Sequence, residues 1–542
     1  MEDSTKHLTE ADKQKLFWAS FLALTAAGVG FVFRVMIPDM WVEGFQITKA
    51  DVGALTGAAL WPIAITMILF SLLVDKIGYK ISMLFAFLLQ GASVILTYMA
   101  TDYTTMWYAC FCAGLGHGVV EAVINPLCAS IYRDSKSKML NILHASWPAG
   151  IVLGGVFYLL LINPEAQNGW DNVKWVFWFM LLPVVVYGIL FLMCSRFPVD
   201  ERVEANVSMT EMLKEFGGLG AFLASTFLLY ELFSQFGLNG AIDSLGWGSN
   251  GKLYVCLLLG TLIGSVIGFM VGSKGKILFF ILCLIMIPLA TAELATDAWI
   301  QSLMRPILGA KAAGWAIVLS AGIMMTLRFF AGIPLKVMSP PVLLLVSSLF
   351  SIAGLYAMSF AGGWMIFGAF VLYAIGQTFY WPTMLGFVSE QFPRGGAMTL
   401  NTVSAMGLLT VGIFGFPFLG AVQDHYSTQT VMSQQTEQFE EVKSTGMTFV
   451  DATNPDSPVD KPIYEAKNFF GVQYDSVNRG EFMKLLSVDN QNALDESLAS
   501  NSQSSLKVAA VLPLVMAIAF LLIIIYYAMI GGYRPVVLSD EK

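Results

Sequence analysis

The sequence predicts an all-α polytopic membrane protein, two six-helix bundles with two extra helices inserted between them, 14 transmembrane helices in all. Three observations predict it. The chain is 56% hydrophobic and only 13% charged, with a mean hydropathy of +0.68, whereas a soluble domain carries roughly a quarter charged residues. Its apolar residues fall in runs separated by short polar breaks, each run about 20 residues, the length that crosses a bilayer as a helix. Basic residues gather on alternate breaks, as they do on the cytoplasmic side of membrane proteins.

Residues 1–15 form a polar tail of mixed charge, expected in the cytoplasm. It is too acidic and too long for the n-region of a signal peptide, so the first run is expected to be retained. Runs 1 to 6, at 16–40, 52–73, 81–100, 105–131, 139–162 and 173–194, make a bundle over 16–196. A cytoplasmic connector, 197–218, follows. In it Ser208-Met-Thr-Glu211 fits a capping box ahead of a short amphipathic helix, 209–216. Runs 7 and 8, at 219–236 and 253–271, form the inserted pair, 219–273. Runs 9 to 14, at 276–303, 314–334, 342–360, 364–388, 397–422 and 508–530, make the second bundle, 274–534, before a tail at 535–542.

With the N-terminus inside, the inner loops hold Lys76, Lys80, Arg133, Lys136, Lys138, Arg196, Arg202, Lys214, Lys274, Lys276, Lys336 and Arg394. The short outer loops hold only Lys49, Lys174, Lys252, Arg305 and Lys311. That bias orients the protein with both termini cytoplasmic. The polar segment 424–507 then lies outside; its Gln, Asn, Ser, Asp and Glu content predicts partial order at best, with any folded cap around Tyr464–Tyr474 and Glu481–Leu486. The six cysteines lie in or beside apolar runs without metal-ligand spacing and read as small buried residues.

Gly114 to Gly155 concentrates the unusual chemistry. Glu121 lies in an apolar run four residues ahead of Asn125-Pro126, and the next run opens with Leu140-Asn141-Ile-Leu-His144. Ionisable and amide groups are costly in hydrocarbon and mark a solute or ion pathway. Leu-Asn recurs at Leu400-Asn401, opening the corresponding run of the second bundle. Such repeated halves place a binding site between them. Gly116 and Gly118 sit inside an apolar helix, so a phosphate loop is excluded by context.

Between runs 2 and 3 the chain reads Ser71-Leu-Leu-Val-Asp75-Lys76-Ile-Gly78-Tyr-Lys80. This resembles the signature loop of the major facilitator superfamily, with Ser71 where the first glycine stands. Asp75 can accept from a helix N-terminus or a basic group and latch one conformation, while Lys76 and Lys80 hold the loop at the cytoplasmic surface. Gly116-x-Gly118-x-x-Glu121-x-x-x-Asn125-Pro126, Glu293 with Asp297 and Trp299, Arg328 with Gly332, and Pro382-Thr-Met-Leu are similar to the fucose permease branch. The resemblance implies a major facilitator fold rocking between two states, commonly driven by protons, with Glu121 as the proton-binding carboxylate. It departs in run 1, where Arg34 stands in place of the branch's acid. That points to a salt-bridged gate or an anionic solute.

The expected substrate contacts are Arg34, Asn125, Asn141, His144, Trp147, Glu293, Asp297, Arg328, Gln377, Trp381 and Asn401. Glu293 and Asp297 are four apart and share a helix face, and Arg328 is placed to neutralise either. Trp147, Gln377 and Trp381 suit a site where flat faces meet a few directional groups. His117 reads as filling a packing niche, and Glu231 is a lone acid with no assigned role. The expected function is a secondary transporter, not an enzyme. It would move a sugar or sugar acid with protons, or sodium, by alternating access, as a monomer in the bacterial inner membrane. No cofactor, metal or nucleic acid is expected. Two alternatives stand beside it: an organic-anion carrier with Arg34 and Arg328 as counter-charges, and a non-transporting membrane sensor or scaffold.

Overall fold

A computed structural model describes residues 8–47, 49–163, 169–237, 247, 250–300, 309–362, 365–451, 459–470 and 472–538. Arg305 and residues 539–542 of the C-terminal tail lie outside them. Thirteen described helices are long and apolar enough to cross a membrane. In chain order, spans 1 to 6 are Glu10–Met36, Asp51–Ile77, Tyr79–Met99, Tyr103–Ile131, Arg133–Leu161 and Trp170–Met193. Spans 7 and 8, the inserted pair, are Met209–Gln235 and Gly251–Val271. Spans 9 to 11 are Ile277–Ile300, Lys311–Lys336 and Pro340–Met358, and spans 13 and 14 are Pro393–Gln434 and Leu506–Met529. Span 12 makes the fourteenth crossing as two half-helices, Met365–Gln377 and Tyr380–Gln391, each too short to cross alone.

Close packing of small residues builds the bundles. A Cβ on Gly150 would come within 2.3 Å of the Thr25 carbonyl, and one on Gly28 within 2.3 Å of the Trp147 carbonyl, so spans 1 and 5 touch backbone to backbone. Spans 7 and 8 meet through Gly218, Gly264 and Gly268. Such contacts replace the hydrophobic drive that lipid cannot supply. Span 7 then lies against spans 2 and 13, where Phe227, Leu228 and Tyr230 pack on Ile63, Met67, Leu409 and Ile413.

Two expectations are corrected. The capping box at Ser208 and Glu211 is present, but the helix it starts does not stop at 216; it continues to Gln235 through a kink at Gly217, φ 57°. A Cβ there would clash with Gly275 as well. The polar segment is also more ordered than its composition predicts. Span 13 runs 42 residues, about 60 Å of helix and twice the hydrocarbon thickness, so its outer half leaves the membrane and carries a cap. There Val431, Phe439, Val442, Ile463, Phe482, Leu486, Leu494 and Leu498 form a separate core. Two antiparallel hairpins complete the cap: β1 (Thr448–Asp451) with β2 (Val459–Pro462), and β3 (Tyr464–Phe469) with β4 (Val472–Val477). The loss of surface area to this small core offsets the ordering entropy that the polar composition alone would leave unmet.

Candidate functional site

Three prolines organise the centre. A proline has no N–H, so it leaves the carbonyl four residues earlier without its helical donor. Pro126 in span 4 releases Ala122, Pro148 in span 5 releases His144, and Pro382 in span 12 releases Thr378. Buried in a membrane, each carbonyl needs another donor. Asn401 Nδ2, from span 13, donates to Ala122 at 3.1 Å. Arg328, from span 10, supplies the other two: Nη1 to His144 at 2.9 Å and Nε to Thr378 at 2.7 Å. Two of the three bonds cross between the bundles.

Arg328 is 2% exposed, and its remaining arm pairs with Glu293 Oε1 at 2.6 Å. Glu293 sits in a π-helical turn, Thr291–Ala295, a local widening common at functional positions. Its Oε2 accepts the Trp381 backbone N–H at 2.9 Å. That N–H is free because span 12 restarts at Tyr380, and a carboxylate is favoured at a helix N-terminus. Asp297 lies on the same side and accepts from Gln377 Nε2 at 2.9 Å and Ser320 Oγ at 3.3 Å. Arg328 thus neutralises Glu293, leaving Asp297 with neutral partners.

The first bundle holds a second chain of polar contacts. His117 Nε2 is 3.7 Å from Glu121 Oε1, Asn125 Nδ2 donates to Glu121 Oε2 at 2.7 Å, and His144 Nε2 meets Asn125 Oδ1 at 2.8 Å. His117 stacks on Trp147, centroids 5.0 Å apart. Both line a cavity of about 40 Å³ with Phe31, Arg34 and Gln90, room for about one water. Arg34 is 8% exposed, bonds Ser93 Oγ at 3.3 Å and lies 6.0 Å from the Phe177 ring. Among the described residues no carboxylate is within ion-pair distance of it.

The sequence-derived residues therefore divide into three groups. Glu121, Asn125, His144, Trp147 and Arg34 gather in the first bundle, and Glu293, Asp297, Arg328, Gln377 and Trp381 in the second. Arg34 and Arg328 do not share a pocket: Arg328 is committed to Glu293 and two carbonyls. Asn141 and Asn401 instead sew the bundles together, Asn141 through Thr383 Oγ1 at 3.2 Å.

That seam continues to the face carrying residues 78, 132–135 and 392–395, here the terminal face, opposite the loop face that bears the cap. Ser137 bonds Glu390, and Lys136 Nζ reaches the Ser389 carbonyl at 3.3 Å. Ser71 Oγ meets the Ala397 carbonyl at 3.4 Å. In the signature loop Asp75 pairs with Arg202 of the connector, and Lys80 Nζ donates to the Leu192 and Cys194 carbonyls at 2.8 and 3.1 Å. Lys76 is exposed. Sequence reasoning missed Ser137, Glu390, Thr383 and Arg202; polar residues near loop ends carry no mark distinguishing a seam from a solvated surface. His117, read as a packing residue, stands beside Glu121. The prolines were the available signal for the released carbonyls.

A buried charge pair in the second bundle, tied by a backbone bond to the first and set where span 12 is broken, is the arrangement of a membrane transporter. The chain belongs to the Major Facilitator Superfamily, whose profile matches residues 16–304, more than half of its length. A gentisate transporter of Corynebacterium glutamicum is 22% identical over 266 residues, 46% of this chain. The chain spans only 58% of that relative's length. Among solved structures, the Escherichia coli fucose:proton symporter superposes with a TM-score of 0.53 at 15% identity, over 77% of this chain and 92% of that one. The human organic anion transporter MFSD10 gives 0.52 at 10%, over 94% and 99%. A bacterial homologue of the human lysosomal transporter Spinster, in an inward-facing state, gives 0.54 at 14%, over 98% and 100%. At these identities the likeness is one of fold.

Proposed function

We propose that this protein carries a small carboxylated solute, a sugar acid or another organic anion, together with protons. The observation that carries the reading is Arg34: a buried guanidinium beside the small cavity of the first bundle, with no carboxylate among the described residues within ion-pair distance. An uncompensated charge in low dielectric is costly, and a bound anion removes that cost. A neutral sugar would leave it in place. Gln90 and His117 also line this cavity and add polar side chains to it. The gentisate and organic-anion transporters among its relatives favour an anion, and the fucose:proton symporter favours coupling to protons.

In this reading the seam from Ser71 to Glu390 closes the cytoplasmic side of a plasma membrane, and the basic loops on that face support a cytoplasmic position for both termini. Parting the seam while closing the loop face gives the alternate state. Glu121 is the proton site, bonded through Asn125 to His144, the residue whose carbonyl Arg328 holds. Protonation there is thus linked to the bundle contact by a continuous path.

The test is solute-induced proton movement in proteoliposomes, with neutral sugars, sugar acids and small organic anions compared. External alkalinisation on adding anions, lost in Arg34→Gln, is the expected result. Alkalinisation by neutral sugars that survives Arg34→Gln overturns the anion reading. Flux that needs sodium instead of a proton gradient overturns the coupling. No flux in any condition favours the sensor or scaffold.

A further inference from the structure

The segment after span 14 is built onto the end of span 12. Gly531 and Gly532, both at φ 98°, turn the chain back across it, a backbone state that favours glycine. The Gly532 N–H closes the turn by donating to the Tyr527 carbonyl at 2.8 Å. Tyr533 then meets Phe387 and Tyr527 edge to face, with ring centroids 5.7 and 5.2 Å apart. Hydrogen bonds fasten the segment there. The Tyr533 hydroxyl donates to Glu390 Oε2 at 2.6 Å, and the Val536 N–H donates to the Glu390 carbonyl at 2.8 Å. Gln391 Nε2 donates to the Arg534 carbonyl at 2.8 Å, and Gln391 Oε1 accepts the Tyr527 hydroxyl at 2.8 Å.

The Glu390 carboxylate is therefore held from two sides. Oε2 belongs to the tail. Oε1 belongs to the first bundle, where it accepts the Ser137 hydroxyl and, at 3.3 Å, the Ser137 N–H. Ser137 lies in the first turn of the helix Lys136–His144, where N–H groups lack intrahelical acceptors and a carboxylate is favoured. Burial, with Glu390 beside it, raises the Tyr533 phenol above its ordinary range, so it keeps its proton and donates. A glutamate side chain left to itself spreads over several rotamers, and fixing it costs entropy. Tyr533 fixes this one in advance, with Oε1 already facing Ser137. Bonds to a carboxylate gain most from such fixed geometry.

We propose that Tyr533 is a positioning residue of the transporter: by holding Glu390 toward Ser137, the tail strengthens the bundle seam and favours the state closed on the terminal face. A segment outside both bundles thereby sets the balance between the two states. This rests on the reading of the seam as the closed gate.

The experiment is distance measurement by spin-label spectroscopy on the full chain in lipid nanodiscs. Labels go at Asp134→Cys in span 5 and Lys336→Cys in span 10, exposed positions of the two bundles on the terminal face. Tyr533→Phe keeps the ring and removes only the hydroxyl. It should raise the ratio of open to closed populations about threefold or more, the loss expected of one hydrogen bond. Ser137→Ala should raise the ratio by itself. Tyr533→Phe added to Ser137→Ala should bring no further rise, because the tail acts through that bond. A mere packing role for Tyr533 predicts the same rise in both backgrounds, and that result would overturn the route through Glu390. A Tyr533→Phe distribution equal to wild type, beside an opened Ser137→Ala, would overturn the role of the tail and leave the gate standing. A Ser137→Ala distribution equal to wild type would overturn the gate at this bond and the inference with it.

Discussion

Arg328 of the second bundle donates to the backbone carbonyl of His144 in the first at 2.9 Å. The bond exists because Pro148 cannot supply the helical N–H that this carbonyl would otherwise accept. Pro382 leaves Thr378 in the same state, and the same guanidinium reaches it. One side chain therefore reads two helix breaks, one per bundle, and is fixed by Glu293 in doing so.

Arg328→Gln leaves Glu293 buried without its counter-charge. Breaking a buried pair from one side costs about 3–5 kcal/mol. The melting temperature in detergent should fall sharply, and Glu293→Gln added to it should recover part of the loss. A double mutant no more stable than Arg328→Gln alone would mean that the carbonyl bonds, not the ion pair, carry the energy.

Pro148→Ala returns a helical donor to His144, in competition with Arg328. The bundles should then part more readily on the terminal face. Spin labels at two exposed positions there, Lys138→Cys in span 5 and Lys336→Cys in span 10, should show a longer distance population than in the proline-containing protein. An unchanged distribution would show that the carbonyl is not the point of competition.

Glu121→Gln keeps a hydrogen-bonding partner for Asn125 but cannot give up a proton. Proton-driven accumulation should fall to the equilibrium level while exchange of internal for external solute is partly kept. Counterflow and net uptake in the same vesicles separate the two, and full accumulation would remove Glu121 from the coupling role.

Asp200, in the connector, is 8% exposed and caps a short helix by accepting the Arg202 N–H at 2.9 Å. Burial raises its pKa from the usual 3.8 to about 6, against the stabilising Arg202 N–H, with Asp75 adding to the rise. The folded state thus holds the proton more tightly than the unfolded one. Stability falls as pH rises from about 4 to 6, and above that the full cost, on the order of 3 kcal/mol, is present. Asp200→Asn should raise the melting temperature at pH near 7.5, with a gap that narrows toward pH 5. A gap independent of pH would contradict the titration.

Gly150→Ala places a methyl group against the Thr25 carbonyl of span 1. Overpacking of this kind costs about 1–3 kcal/mol. Thermal unfolding should show it, while Gly91→Ala, where a Cβ meets nothing within 4 Å, serves as the control and should be neutral or better.

Hydrophobic run length alone determined that this is a polytopic helical protein, because a bilayer fixes how many apolar residues a crossing needs. It also singled out Glu121, Glu293 and Arg328, since a charge in such a run is rare and conspicuous. Run length could not show that span 12 is broken at its centre; its hydropathy is continuous across Gln377 and Tyr380. Nor could it order the 424–507 segment, whose core forms only when Val431 on the extended span 13 meets Phe482 and Leu494 from later in the chain. Tertiary structure decided the pairings: Arg328 with Glu293 and not Asp297, Arg34 apart from both. Pairing depends on which helix faces meet and on carbonyls freed by prolines in distant spans. Sequence spacing within one helix carries no record of either.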